Sequence, residues 1–345
     1  MQSQRLIELR MEMKKLFFIL VGVLCGVYSF AFPVTVEGMR YMLNSSKKTA
    51  VFVECTDKEI TEFIVPATLR SDRTKYKVET IGRGAFAECT RLTNIMLPKG
   101  IKVIESSAFE ECTALQHIIL PATLEKIGDN AFWDCEQLTA ITLPDKLEEI
   151  GEGAFSQCGL TEIVLPASVK KIGSALFYGC NQLRSIRVAE KNKRFDSRDN
   201  CNAVIDTRSK MLMGGCQTST FPQGITAIAA NAFEECWNLR TVVLPNSVKQ
   251  IGDKAFMGCF RLSTLELNEG LTRIGASAFE QCNALKQVTL PSTLTEIGDR
   301  AFRNCNQLQQ PEIPAKTHHV GNRVFEVIDE SRVVYEEDED EDKEQ

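Results

Sequence analysis

Cysteine offers this chain more reactive chemistry than any other residue type, and its spacing limits what that chemistry is. There are thirteen cysteines in 345 residues. Thiols at that density can cross-link, ligate metal or act as nucleophiles. Nine that follow a phenylalanine by three residues recur at a near-constant step: Cys89, Cys112, Cys135, Cys158, Cys180, Cys236, Cys259, Cys282 and Cys305. The step between them is 22 or 23 residues, except for one interval of 56 between Cys180 and Cys236. A fixed step of this size marks a solenoid, so each periodic cysteine belongs to a different coil. No Cys-x-x-Cys pair occurs, and no metal site is expected. Stacked neighbours would have Cα atoms about 4.8 Å apart, which a disulfide tolerates, but their parallel side chains keep the Cβ atoms too far apart for a relaxed bridge. The column is therefore expected to hold reduced, buried thiols acting as small core residues. Cys201 and Cys216 flank a predicted hairpin outside the column and are the candidate pair for a disulfide.

Other reactive groups are sparse. The chain has three histidines, two of them adjacent at His318 and His319; neighbours on a strand point to opposite faces and cannot share a metal. Carboxylate pairs such as Glu110-Glu111 and Glu148-Glu149 have no second catalytic partner in view, and no glycine-rich phosphate loop precedes a helix. Neither an enzyme nor a cofactor is expected.

The elements that position these residues are legible in one repeat, from Ile127 to Pro144: I-G-x-x-A-F-x-x-C-x-x-L-x-x-I-x-L-P. Ile141 and Leu143 alternate like the inward residues of a short strand, which Pro144 ends because it cannot donate into a ladder. Gly128 is expected to permit a tight turn, and Ala131, Phe132 and Cys135 have the spacing of a helical turn facing the core. Stacked copies predict a solenoid of about 23-residue coils, with a parallel sheet on one face and turns and helical turns on the other. Residues 32–77 read as a β-rich N-terminal cap, 78–190 as repeats, and 221–335 as repeats closed by a C-terminal cap at Val320–Phe325. The irregular interval, 191–220, predicts a β-hairpin with strands at Val204-Ile205 and Met211–Met213.

The ends of the chain differ from its body. Lys14-Lys15, an apolar run from Leu16 to Val27 and the small-x-small site Ser29-Phe30-Ala31 form a secretory signal peptide over residues 1–31. The run is too short for a membrane span, so none is expected after cleavage. The last ten residues, 336–345, hold eight carboxylates and one lysine and are expected to be disordered. That tail outweighs the formal net charge of −6, leaving the solenoid nearly neutral. A body without a basic field argues against nucleic acid.

The nine A-F-x-x-C copies (Leu176 replaces the alanine once), the L-x-x-I-x-L-P strands and the sub-motif Asp199–Asp206 resemble the BspA-like, or Treponema pallidum type, leucine-rich-repeat proteins. The resemblance covers about residues 34–328. It implies an exported bacterial protein, of Bacteroides-like origin, that is secreted, periplasmic or held at the cell surface. It also implies non-catalytic, adhesin-like binding of host matrix or plasma proteins, or of other bacteria. The outward strand positions are where such a partner would sit: Asn94, Met96, His117, Ile119, Thr142, Glu162, Val164, Arg187, Val243 and Glu266. The positions just after the inward isoleucines are largely apolar or β-branched in the first half (Met96, Ile119, Thr142, Val164) and become polar and acidic in the second, and an exposed apolar strip marks a protein contact. A glycan-binding module would place aromatic rings on this face, and none is there; a structural scaffold of the envelope is the other alternative.

Overall fold

A computed structural model describes residues 31–327. The signal peptide and the acidic tail expected from the sequence lie outside the described residues, Ala31 apart. The regular elements are short β-strands, and the one helical element among the described residues is the 3₁₀ turn Arg198–Asn200. The chain winds as a β-solenoid whose coils match the 23-residue step.

The coils build two parallel ladders. One runs through the I-G elements: Val103–Ile104, Lys126–Ile127, Glu149–Ile150 and Lys171–Ile172 pair in register, with the isoleucines inside. The other is formed by the strands expected from the L-x-x-I-x-L-P pattern and is less continuous. It splits into small sheets, and the coils at residues 139–144, 286–290 and 308–314 have no regular strand. The more continuous ladder therefore lies where the sequence pattern suggested only a turn.

Gly128 serves close packing rather than turning. Its φ is not positive, and a Cβ there would lie 2.5 Å from the backbone nitrogen of Ser106 in the preceding coil. The A-F-x-x-C segment also departs from a helical turn. Asn130 and Asp134 take left-handed backbone angles, φ 53° and 58°, which no right-handed helical turn admits. Instead the N–H groups alternate. Phe132 and Asp134 donate to Ala154 and Ser156 of the next coil, while Trp133 and Cys135 donate three residues back, to Asn130 and Phe132. Buried backbone groups need partners, and this alternation supplies both a closed turn and a bond to the next coil.

The phenylalanines stack face to face. Phe86, Phe109, Phe132 and Phe155 have centroids 5.3, 5.2 and 5.8 Å apart with planes within 7°. Phe233 through Phe325 repeat the arrangement at 5.1–5.5 Å. Burying each ring contributes about 1.5–3 kcal/mol, and each aromatic pair roughly 0.5–1.5 kcal/mol more.

The cap is an antiparallel meander of β1 (Ala31–Val36), β2 (Met39–Asn44) and β3 (Thr49–Cys55). β5 (Thr68–Ser71) and β6 (Thr74–Ile81) form a hairpin whose second strand runs parallel to β3. Repeat geometry begins earlier than the sequence reading placed it. β4 (Glu62–Ile64) already pairs in parallel with β7 (Asn94–Met96). Phe52 stacks on Phe86 at 4.5 Å and 8°, so Phe52 and Cys55 stand at the N-terminal end of the phenylalanine column as a tenth Phe-x-x-Cys pair.

The irregular interval forms the expected hairpin, Ala203–Asp206 against Met211–Gly215. It also starts a new I-G ladder, since Met211-Leu212 pair in parallel with Ala227-Ile228. The core divides there into two clusters. A Cβ on Gly215 would lie 2.1 Å from the Phe233 ring, and one on Gly214 3.5 Å from Phe177; the glycine backbone takes the place of a ring in the column.

Candidate binding face and the buried thiol column

The outward strand positions meet in space as the alternation requires. The strand His117–Ile119 continues the sheet of β4 and β7, and the register aligns Ile64 with Met96 and Met96 with Ile119. These three side chains are 69%, 57% and 75% exposed, whereas Ile95 and Ile118 between the outward positions are buried. Val164 and Val243 occupy the same position in later coils and are also exposed. The face is a ladder of uncovered aliphatic side chains on adjacent strands.

Polar members of the set surround this strip. Asn94 Nδ2 donates to Glu62 Oε1 at 2.8 Å and pairs in register with exposed His117. Arg187 aligns with Val164 and reaches Glu162 at 3.5 Å; Glu266 aligns with Val243. Such exposed pairs stabilise little, typically under about 1 kcal/mol, and leave charge available to a partner. Thr142 is exposed, but its coil lacks a regular strand, so the ladder is interrupted between Ile119 and Val164. Ile64 was absent from the sequence-derived set because its coil was assigned to the cap; the signal was Phe63-Ile-Val-Pro66, a shortened copy of the strand motif. Trp237 was also missed. It is 45% exposed beside Phe260, centroids 6.0 Å apart, and each directly follows a column cysteine.

The twelve cysteines of the described region are free thiols and all are buried. Cys201 and Cys216, the candidate pair for a disulfide, are both free thiols here. Cys201 packs in the second core cluster, with its Sγ toward Ala203 O, and Cys216 packs in the first, facing Asn202 O. The column thiols do more than fill space. Cys112, Cys135 and Cys158 donate to the carbonyls of Phe86, Phe109 and Phe132 in the preceding coil at 3.1–3.2 Å. Cys259, Cys282 and Cys305 repeat the bond to Phe233, Phe256 and Phe279. Each such carbonyl also accepts the N–H of the cysteine in its own coil, so both lone pairs are used. Burial pushes the Cys112 and Cys180 thiols up to about 12, and Cys135, Cys158, Cys259 and Cys282 well above the ordinary thiol range. Neutral thiols are poor nucleophiles and poor metal ligands.

The carboxylate pair Glu148-Glu149 is likewise engaged. Glu148 and Glu149 meet Lys170 and Lys171 of the next coil at 2.6 Å, and the two lysines beside Glu149 hold its carboxyl below the usual range. No group of three His, Cys, Asp or Glu among the described residues could hold a metal ion. No helix among them is long and apolar enough to cross a membrane.

Comparison with known proteins agrees with this geometry. A search of curated proteins finds no match. Among solved structures, a leucine rich cell surface protein from Faecalibacterium prausnitzii is 26% identical, with a TM-score of 0.56, covering 83% of this chain and 89% of its own. The pneumococcal vaccine antigen PcpA is 22% identical with a TM-score of 0.67, covering 84% and 85%. A leucine-rich repeat protein from Bacteroides ovatus is 23% identical with a TM-score of 0.51, covering 84% and 91%; these last two share the fold. The family described as BspA type leucine rich repeat region matches in six copies over residues 51–197 and 213–329. With its coils, strand face and phenylalanine column accounted for, the chain belongs to the BspA-type leucine-rich-repeat family.

Proposed function

We propose that this protein is an exported, non-catalytic binding protein that engages a protein partner through the apolar ladder of its strand face, in the manner of an adhesin. The observation that carries the reading is the in-register, exposed set Ile64, Met96 and Ile119. Aliphatic side chains uncovered on three adjacent strands are unfavourable in water and suit a protein contact. The signal peptide read from the sequence over residues 1–31 and the likeness to a cell surface protein support placement outside the cytoplasm, secreted or at the surface. Host matrix or plasma proteins, or the surfaces of other bacteria, are the partners to test first.

The test is binding of the purified protein to a panel of matrix and plasma proteins and to bacterial cells, repeated with Met96→Glu and Ile119→Glu. A carboxylate at either position is expected to weaken capture about ten-fold or more with the fold intact. Equal capture by both variants and the parent would remove the strand face as the site.

A further inference from the structure

One recess carries charge quite unlike the rest of this nearly neutral body. Between residues 167 and 210 there are ten lysines and arginines against four carboxylates. Six of those cations, Lys170, Lys171, Lys191, Lys193, Arg194 and Arg208, line a single recess of about 600 Å³ in which no carboxylate takes part. It lies on the I-G ladder and the insert, so none of its residues belongs to the strand face.

The walls are held in place. Asn192 Nδ2 donates to Pro166 O and Val169 O at 2.9 and 3.1 Å, while its Oδ1 accepts the N–H groups of Arg194 and Phe195. That side chain fastens the loop bearing Lys191 and Lys193 against the coil turn that bears Lys170 and Lys171. Across the recess, buried Asp206 pairs with Arg194 at 2.5 Å and accepts the N–H groups of Arg208 and Ser209. Lys170 and Lys171 reach sideways to exposed Glu148 and half-buried Glu149, surface pairs that an incoming anion can displace. Lys191, Lys193 and Arg208 are exposed and form no ion pair with another of the described residues. Three uncommitted cations on a fixed backbone, with two more loosely held, create a local positive field.

We propose that this recess binds a sulfated polysaccharide. A peptide partner draws affinity from buried aromatic and large apolar anchors, and the lining contains neither. A linear chain with closely spaced sulfates draws it from charge, which is what the recess offers. Lysine ammoniums and an arginine fork are donors suited to sulfate oxygens.

The probe is immobilised heparin, with uncharged dextran and poly-glutamate as comparisons, at about 0.15 M salt where surface charges are screened beyond about 8 Å. The protein is expected to bind heparin, to prefer it over poly-glutamate and to ignore dextran. K191Q/K193Q/R208Q is expected to lose about ten-fold or more in affinity, and K191Q/K193Q, which leaves the Asp206 anchor and Arg208 untouched, to fall between it and the parent. Lys47→Gln with Lys48→Gln, on the exposed cap turn, is expected to change nothing. Absence of heparin binding, equal binding by the triple variant, or a preference for poly-glutamate would each overturn the proposal. Circular dichroism of each variant checks that lost affinity is not lost folding.

Discussion

On either side of the hairpin at residues 203–215, the solenoid repeats the same interior and presents a different exterior. Before it, Phe86 to Phe155 stack with centroids 5.2–5.8 Å apart; after it, Phe233 to Phe325 stack at 5.1–5.5 Å. The same thiol-to-carbonyl bond joins the coils in both halves. On the surface the resemblance stops. The outward column reads Ile64, Met96, Ile119, Thr142, Val164 and then Arg187 in the first half, and Val243, Glu266, Thr289 and Glu312 in the second. Inside, every side chain faces copies of itself at close-packed density, where a one-methylene change is felt. Outside, a strand position meets only solvent and its lateral neighbours, so composition there can drift toward a partner. Equivalence of the interiors and difference of the exteriors can be attacked separately.

The largest effect comes from the phenylalanine column. Phe109→Ala and Phe256→Ala each remove a fully buried ring between two others and are expected to cost about 3–5 kcal/mol. Because the core divides at the hairpin, each substitution is expected to lower the stability of its own half first, as separate transitions in urea. A difference between the two costs larger than about 1 kcal/mol, or a single shared transition, would break the equivalence. Gly215→Val attacks the junction itself, where the added Cβ would fall 2.1 Å from the Phe233 ring; it is expected to cost about 3 kcal/mol through strain.

Smaller losses follow from the thiols. Cys135→Ala and Cys282→Ala delete one donor to a phenylalanine carbonyl and a little volume, and each is expected to cost about 1–2 kcal/mol by urea denaturation. The column also imposes a pH dependence whose sign is fixed by burial. The Cys112 and Cys180 thiols, ordinarily near 9, stand at about 12 in the folded chain. Above pH 9 the unfolded chain binds fewer protons than the folded one, so stability is full below pH 9 and falls between about pH 9 and 12. Native protein at pH 8 is expected to resist a thiol reagent that titrates all twelve of these cysteines once the chain is denatured without reductant. Fast native labelling, or a shortfall after denaturation, would break this account of the column.

What the sequence disclosed and what it hid follow the same division. The period of Cys89 to Cys305 dictated the solenoid, because a repeated core position permits few other architectures. The alternation around Ile95 and Ile118 told outward from inward residues correctly. Three details were not legible. Gly128 reads like a turn glycine, and only the neighbouring coil shows that it admits the Ser106 backbone. Phe52 and Cys55 sit 34 residues ahead of Phe86 and Cys89, since the β5–β6 hairpin lengthens that coil and hides the copy from a period search. The basic recess joins residues of one coil to those of the insert, and that meeting depends on Asn192 and Asp206, whose side-chain bonds have no signature in spacing.

The smallest expected change in stability tests the exterior. Ile119→Thr gives the first half a residue typical of the second, and Thr289→Ile does the reverse; both sites are exposed and both residues favour strands. Each is expected to move stability by less than about 0.5 kcal/mol, the range of ordinary surface substitutions. Their effects on partner capture are expected to diverge: Ile119→Thr weakens it by removing the most exposed aliphatic contact of the ladder, while Thr289→Ile leaves it unchanged. The second substitution is the sharper of the two. An isolated isoleucine has no aligned aliphatic neighbours there, since Glu266 and Glu312 flank it in the adjacent coils. If Thr289→Ile raised capture as much as Ile119→Thr lowered it, general stickiness rather than an ordered ladder would account for binding, and the distinction between the two exteriors would fall.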